Sequence, residues 1–161
     1  LAGEVTQYAS QNDYEGAKKA ALEYAEIFQD RFYIEIQNHQ IPEELATHSI
    51  LKKLSEELNI PLVATNDCHY ALEEHWEAHD VLFCLGTGKN RGDTNRLRYE
   101  PRQFYIKTAD EMNRLFSDTP RALDVLRELD VIAGNRLKNK GNIGPISGMY
   151  SIFQCVLGVF S

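Results

Sequence analysis

The pattern of apolar and polar residues divides the first part of the chain into three predicted elements. Apolar residues recur at three- and four-residue spacing between residues 12 and 29, which predicts a helix with one buried face. From Arg31 to His39, apolar and polar residues alternate, as in a strand with two different faces. Pro42 is favourable in a first helical turn, and an apolar stripe continues from there to about Asn59.

A second strand follows this helix directly. Leu62 to Thr65 is a short run of apolar and β-branched residues, which is typical of a strand buried on both faces. Residues 31–66 therefore have the order and size of a strand, helix, strand unit with parallel strands. An α/β fold is the expected class.

Elements after Tyr70 are predicted to be shorter. We expect a helix over about Leu72–Leu85, a strand over Gln103–Lys107, a helix from the Thr108–Glu111 capping box to about Phe116, and a helix over about residues 119–133. Glycine and proline interrupt regular structure from Lys138 onward. The apolar stretch Met149–Phe160 is shorter than the ~20 residues that cross a bilayer.

Two ionisable residues, Asp67 and His69, follow the second predicted strand. Residues two apart in an extended chain project to the same side, so the carboxylate and the imidazole converge on one point, as metal ligands do. Alternatively, Asp67 caps the next helix and His69 is an exposed loop histidine.

His75 and His79 share a helical face, but Glu77 between them does not match the H-E-x-x-H motif. We expect His79 to be a buried, hydrogen-bonded structural histidine.

Composition and charge narrow the classes of function. The chain has 161 residues, 43% of them hydrophobic and 25% charged, as in one globular domain. A net charge of −7 argues against a nucleic-acid clamp, although residues 89–107 are locally basic and form either a phosphate-contacting loop or a solvated face. Three cysteines are too few for a disulfide framework, so a reducing cytoplasm is expected. The sequence begins at Leu1 without an initiator methionine, which suggests a fragment.

Five motifs in the chain carry a family resemblance. They are Asp13–Lys18, Phe32–His39, Val63–Tyr70, Ala78–Leu82 and Phe104–Lys107. In order and spacing they closely resemble the PHP (polymerase and histidinol phosphatase) domain of the bacterial DNA polymerase III alpha subunit. The resemblance covers about residues 12–130. It implies that residues 1–134 are the carboxyl-terminal part of a distorted, seven-stranded β/α (TIM-like) barrel, followed by a divergent, unassigned tail over residues 135–161.

The resemblance also implies a metal site. In the family, a cluster of zinc or manganese ions lies at the carboxyl ends of the strands. The D-x-H motif that supplies ligands matches Asp67 and His69, and the histidine after the E-x-Q-x-H strand matches His39. Glu35 and Gln37 are expected to support these ligands rather than bind metal.

The expected function is that of a fragment of a replicative DNA polymerase. The resemblance implies a parent DNA-directed DNA polymerase, a nucleotidyltransferase whose magnesium site is absent from this chain. It also implies a metal-dependent phosphoesterase or 3′–5′ exonuclease site in the PHP region. The implied partners are DNA, other replicative subunits and a proofreading exonuclease subunit, with no membrane.

Departures from the family pattern leave alternatives open. The H-x-H motif that opens a PHP domain is absent, so three residues cannot complete a multi-metal cluster and the isolated fragment is expected to be inactive. The alternatives are a stand-alone PHP phosphoesterase acting on a small phosphate ester, or a non-catalytic scaffold. A fragment is also expected to expose strand edges and apolar helix faces and to associate.

Overall fold

The computed structural model describes residues 3–125, which form helices and a two-stranded parallel sheet. In chain order the elements are α1 (Glu4–Ser10), α2 (Tyr14–Phe28), β1 (Ile34–Gln37), α3 (Pro42–Leu58), β2 (Leu62–Thr65), α4 (Trp76–Thr87) and α5 (Ala109–Leu115). Residues 121–125 are also helical. Mixed helices and strands agree with the predicted α/β class. The sheet of the described residues has two strands, so the seven-stranded barrel stays a proposal.

The predicted strand, helix, strand unit is confirmed. β1 and β2 pair in parallel, with Ile34 opposite Leu62 and Gln37 opposite Thr65. α3 connects them and packs against β1. The predicted alternation of β1 is also observed, because Ile34 and Ile36 are buried while Glu35 between them is exposed.

One core joins this unit to the helices before and after it. Its members are small or apolar side chains, and the largest contributions come from Ile34, Ile36, Leu51, Leu54, Met112 and Phe116. Ala17 and Ala21 of α2 are fully buried against them, which lets the helix approach closely.

The helix α1 was not predicted, since in the sequence its few apolar residues did not establish a clear period. It packs against α2 and α3, and Ala9 is its one buried residue. Gly16 permits this packing, because a Cβ atom there would lie 2.5 Å from the Tyr8 ring and from the Asp13 carboxylate. The same carboxylate accepts a hydrogen bond from the Gly16 N–H at 2.9 Å and caps α2.

The helix α4 is less covered than the others. It begins after a single 3₁₀ turn and ends at Thr87, where Gly88 adopts a left-handed conformation with φ of 65°. Val81, Leu82 and Leu85 lie on its exposed side, and Leu85 is 74% exposed. This is the kind of apolar helix face that the sequence led us to expect. In the described range, no helix has the length and apolar character needed to span a membrane.

The predicted strand Gln103–Lys107 is wrong in extent. The structure has one parallel bridge there, between Tyr70 and Tyr105. Phe104 and Lys107 are both buried, a spacing of three that does not match the two-residue period of a strand. The capping box that follows is confirmed, because Thr108 and Glu111 each accept the backbone N–H of the other. Most of the helix predicted over residues 119–133 lies outside the described residues.

Candidate functional site

The predicted site residues lie at one end of the parallel sheet. His39 follows β1 and Asp67 follows β2, and the carboxyl ends of parallel strands meet at the same edge. Asn66 fixes the point where β2 ends, because its side-chain amide donates to the carbonyl of Tyr105 at 2.7 Å. Its side-chain oxygen accepts from the buried ammonium of Lys107 at 3.2 Å. The chain after β2 is thus held by groups far away in sequence.

Asp67 and His69 converge, as their spacing predicted. The distance between His69 Nε2 and Asp67 Oδ2 is 3.1 Å, and the two side chains are 28% and 34% exposed, respectively. The backbone N–H of His69 donates to the carbonyl of Phe104 at 2.7 Å, which fixes the position of the residue. A carboxylate and an imidazole nitrogen are therefore adjacent at a partly open surface.

His39 occupies a different environment, fully buried behind this pair. Its ring stacks on Phe104 with centroids 4.5 Å apart. Nδ1 lies 2.9 Å from Glu44 Oε1, and Nε2 accepts the backbone N–H of Asp67 at 3.1 Å. Because Nε2 accepts a hydrogen bond, the neutral ring carries its proton on Nδ1 and donates it to Glu44. Both ring nitrogens are therefore engaged within the protein.

Glu44 is the residue of this site that the sequence did not reveal. It lies in the first turn of α3, where the helix dipole favours an acidic side chain. Such acids are usually exposed, but Glu44 is only 7% exposed. Its second oxygen accepts the backbone N–H of His39 at 2.6 Å. Burial alone would raise the pKa of Glu44, but these hydrogen bonds from His39 outweigh burial and lower the pKa below its usual value. Glu44 is thus an anion that orients His39.

Asp67 and His69 fit a divalent metal ion better than His39 does. The Asp67 carboxylate and His69 Nε2 face each other, and oxygen and imidazole nitrogen are ligands of zinc and manganese. A metal on His39 Nε2 would have to displace the N–H of Asp67. Within residues 3–125, no group of three or more His, Cys, Asp or Glu side chains is arranged to hold a metal ion. The three-residue ligand set stays a prediction.

Glu35 and Gln37 make contacts across the sheet. Gln37 Nε2 donates to Thr65 Oγ1 at 3.1 Å, and the Thr65 hydroxyl in turn donates to the Glu35 carboxylate. His48 Nε2 lies 2.7 Å from the carbonyl of Gln37. These contacts tie the ends of β1 and β2 together, so they support the edge on which Asp67 lies.

His79 belongs to an aromatic cluster next to the pair. Its ring lies 5.5 Å from that of His69 and 5.1 Å from that of Tyr99. It is half-buried and packs against rings, and no hydrogen bond to its ring is found among the described residues, unlike our expectation of a fully buried, hydrogen-bonded histidine. Burial, and then the proximity of His69, lower the pKa of His79, which favours the neutral ring.

Several curated relatives of the chain share one name, DNA polymerase III subunit alpha. A DNA polymerase III subunit alpha of Campylobacter jejuni is 41% identical over 132 residues, which cover 82% of this chain and 11% of the relative. The one of Borreliella burgdorferi is 40% identical over 77% of this chain and 11% of the relative. The chain is homologous to a segment of DNA polymerase III alpha subunits. It spans about a tenth of the length of these relatives.

A third polymerase III alpha relative extends the match along the chain. The subunit of Treponema pallidum is 35% identical over 158 residues, which cover 94% of this chain and 13% of the relative. Such coverage reaches past residue 134, into the part that we predicted to be a divergent tail. That domain boundary stays a prediction. No protein-family model matches the chain. The predicted relationship to the polymerase subunit is thus confirmed, whereas assignment to its PHP domain is a proposal.

Proposed function

We propose that this chain is part of the PHP region of a replicative DNA polymerase alpha subunit and supplies two ligands to a divalent metal site. The observation that carries the proposal is the 3.1 Å approach of Asp67 Oδ2 and His69 Nε2 at the carboxyl ends of two parallel strands. The homology to polymerase III alpha subunits supports the same assignment. Two ligands do not complete a four-ligand zinc site, so further ligands are required.

The residues have separate tasks in this proposal. The Asp67 carboxylate and the neutral Nε2 of His69 would hold zinc or manganese, which supplies Lewis-acid chemistry for hydrolysis of a phosphoester. His39 accepts the N–H of Asp67 and so orients the residue that carries the carboxylate. Glu44 keeps the proton of His39 on Nδ1, which leaves Nε2 as the acceptor.

The activity of the whole protein is also part of the proposal. We infer a DNA-directed DNA polymerase whose magnesium site lies outside this chain, acting on DNA in the cytoplasm. Other replicative subunits are its proposed partners, among them a proofreading exonuclease subunit. The names of the relatives support the polymerase, and the PHP site would add phosphoesterase or 3′–5′ exonuclease activity.

Measurement of the metal content of two site variants and one control variant tests the ligand assignment. We expect Asp67→Ala and His69→Ala to weaken zinc or manganese binding by an alpha subunit that carries this segment by at least about tenfold. His75→Ala removes an exposed histidine of the neighbouring turn and is the matched control. Unchanged metal content in both site variants would contradict the ligand assignment.

A non-catalytic structural role is the second candidate function. It is favoured by His39, whose two ring nitrogens are engaged by Glu44 and by the Asp67 N–H. In that case the wild-type subunit would bind neither zinc nor manganese at this site. Asp67→Ala would then alter stability alone, as measured by urea denaturation.

A further inference from the structure

A cavity of about 190 Å³ is lined in part by residues that contact His69. We call it the arginine pocket, because Arg91, Arg96, Arg98 and Arg102 line it together with His79 and Tyr99. The last two rings also contact His69, with centroids 5.5 and 4.5 Å from the His69 ring. The pocket and the candidate metal site therefore share a wall.

Two of the four arginines are neutralised by carboxylates and form the frame of the pocket. Arg96 donates to both oxygens of Asp80, at 2.6 and 2.8 Å, and its side chain is 4% exposed. Arg91 lies 3.4 Å from Asp80 and 3.4 Å from Glu77. The bidentate pairing with Asp80 fixes the planar guanidinium of Arg96 and orders the wall around it.

The other two arginines have no carboxylate partner among the described residues. Arg98 donates to the backbone carbonyl of Asp93 at 3.3 Å, which anchors one edge of its guanidinium. Arg102 stacks on the indole of Trp76 at 3.4 Å, so the face of its guanidinium is covered while the N–H groups at its edge stay available. Both residues are exposed and line the pocket.

The charge of the lining matches one kind of ligand. Four arginines face two carboxylates of the lining, Asp80 and Glu100, and the neighbouring Glu77 also pairs with Arg91, which leaves a surplus of one positive charge. A phosphate monoester carries roughly −1.5 to −2 charges at pH 7, and guanidinium groups bind its oxygens in a bidentate manner. The cavity is smaller than the ~300–1,000 Å³ that drug-sized ligands occupy, so it holds a phosphate group and not a whole nucleotide.

We propose that the arginine pocket binds the terminal phosphate monoester of a nucleotide or of a DNA end, through Arg98 and Arg102. This inference rests on the proposed function, since it places the phosphate of a substrate beside Asp67 and His69. It also gives the locally basic segment over residues 89–107 a defined task. Arg91 and Arg96 form the wall of the pocket, and Arg98 and Arg102 bind the ligand.

Binding of deoxyadenosine 5′-monophosphate to the 161-residue chain, measured by calorimetry in EDTA, tests the proposal. We expect Arg98→Gln and Arg102→Gln each to weaken binding by at least about tenfold, the value of one lost charge-assisted hydrogen bond. Arg121→Gln is the matched control, because Arg121 is exposed, lies outside the pocket and forms no ion pair with a described residue. Equal weakening by all three variants would overturn the proposal, since it would reflect net charge alone.

Two ligands without a terminal phosphate sharpen the test. Deoxyadenosine and a dinucleotide with only its internal phosphodiester are expected to bind at least about tenfold more weakly than the monophosphate. Equal binding of either one would overturn the assignment to a monoester. Arg98→Lys keeps the charge, and its amide NMR spectrum shows whether the fold is intact; we expect it to bind more tightly than Arg98→Gln.

The phosphate site and the metal site can fail separately. EDTA removes divalent ions, so the affinity for the monophosphate reports the arginines alone. Asp67→Ala is expected to weaken metal binding by at least about tenfold, while the affinity for the monophosphate in EDTA changes less than about twofold. Metal binding without phosphate binding would overturn this inference and leave the proposed function standing, and the reverse result would reject the metal site.

Discussion

The unit from β1 to β2 and the segment from Asn66 to Lys107 are held together by different kinds of contact. The first is built from parallel backbone pairing and an apolar core. The second is built from side chains that reach backbone carbonyls, from stacked rings and from paired guanidinium groups. The Phe104 ring, for example, contacts the rings of three residues, His39, His69 and Tyr99. Order in the second region depends on partners that are far apart in sequence.

The apolar side chains of the core and the polar side chains of the candidate site lie in different regions of the molecule. Ile34, Ile36 and Leu54 are buried in the first region and carry no polar group that could react. Asp67 and His69 are partly exposed and belong to the second region. The strand unit therefore provides the edge, and the loops before and after α4 bring polar groups to it.

Loss of core packing in the first region should have the largest effect. Leu54 is 0% exposed, so Leu54→Ala removes buried methyl groups and leaves a cavity. We expect a decrease of about 2–5 kcal/mol in the free energy of unfolding, measured by urea denaturation. Leu82→Ala is the control, because Leu82 is 66% exposed in α4 and its truncation should cost less than about 0.5 kcal/mol. Similar losses would mean that α4 is packed as tightly as α3.

Removal of the Glu44 carboxylate tests the junction between the two regions. Glu44→Ala leaves the N–H and the Nδ1–H of His39 without their acceptors in a buried place. We expect a loss of about 2–3 kcal/mol in the free energy of unfolding, because a buried donor without a partner costs about 1–3 kcal/mol.

The neighbouring residue provides the control for Glu44. Glu43→Ala removes an exposed acid from the same helical turn, so the cost should stay below about 1 kcal/mol. The amide NMR signal of Asp67 should shift in Glu44→Ala and stay in place in Glu43→Ala, because that N–H donates to His39. Identical behaviour of the two variants would show that the pair does not orient Asp67.

A smaller, pH-dependent effect is expected from the second region. Hydrogen bonds from Arg96 hold the pKa of Asp80 below its usual value. A carboxyl group whose pKa is lowered by folding contributes stability above its unfolded pKa of about 3.9, and this contribution disappears as the pH falls through the folded pKa. Asp80→Asn should therefore be less stable than wild type at pH 6, and the difference should shrink towards pH 2.

Urea denaturation across this pH range measures the effect of Asp80. Asp30→Asn is the matched control, because Asp30 is exposed and no ion pair to it is found among residues 3–125. Its difference from wild type should stay near zero at every pH. A constant difference for Asp80→Asn would mean that the ion pair does not contribute through the charge of the carboxylate.

Sequence patterns predicted the parts of the fold whose contacts repeat with a regular period. The alternation from Phe32 to Ile36 and the stripe of α3 determined the strand unit, and both are observed. α1 escaped prediction because it has seven residues, so the helical spacing of Val5, Tyr8 and Ala9, which pack against the core, does not repeat. The strand predicted over Gln103–Lys107 was too long, since the pairing there is a single bridge between Tyr70 and Tyr105, and the burial of Phe104 and Lys107 does not follow a two-residue period.

The candidate site was predictable to a similar degree. The two-residue spacing of Asp67 and His69 was sufficient to predict that their side chains meet. The environment of His39 was not predictable, because its ring is held by Glu44, five positions later, and by the backbone of Asp67, 28 positions later. A buried acid in the first turn of a helix resembles any dipole-favouring acid in the sequence.

During synthesis, β1, α3 and β2 leave the ribosome before residues 66–107 do. Their contacts join neighbouring elements, so the loops that must close are short, and such units form quickly. We expect the strand pair to assemble while the following segment is still being translated. Asp67 and His69 then emerge onto an edge that is already in place, and the aromatic residues that follow, Tyr99 and Phe104, close over it last.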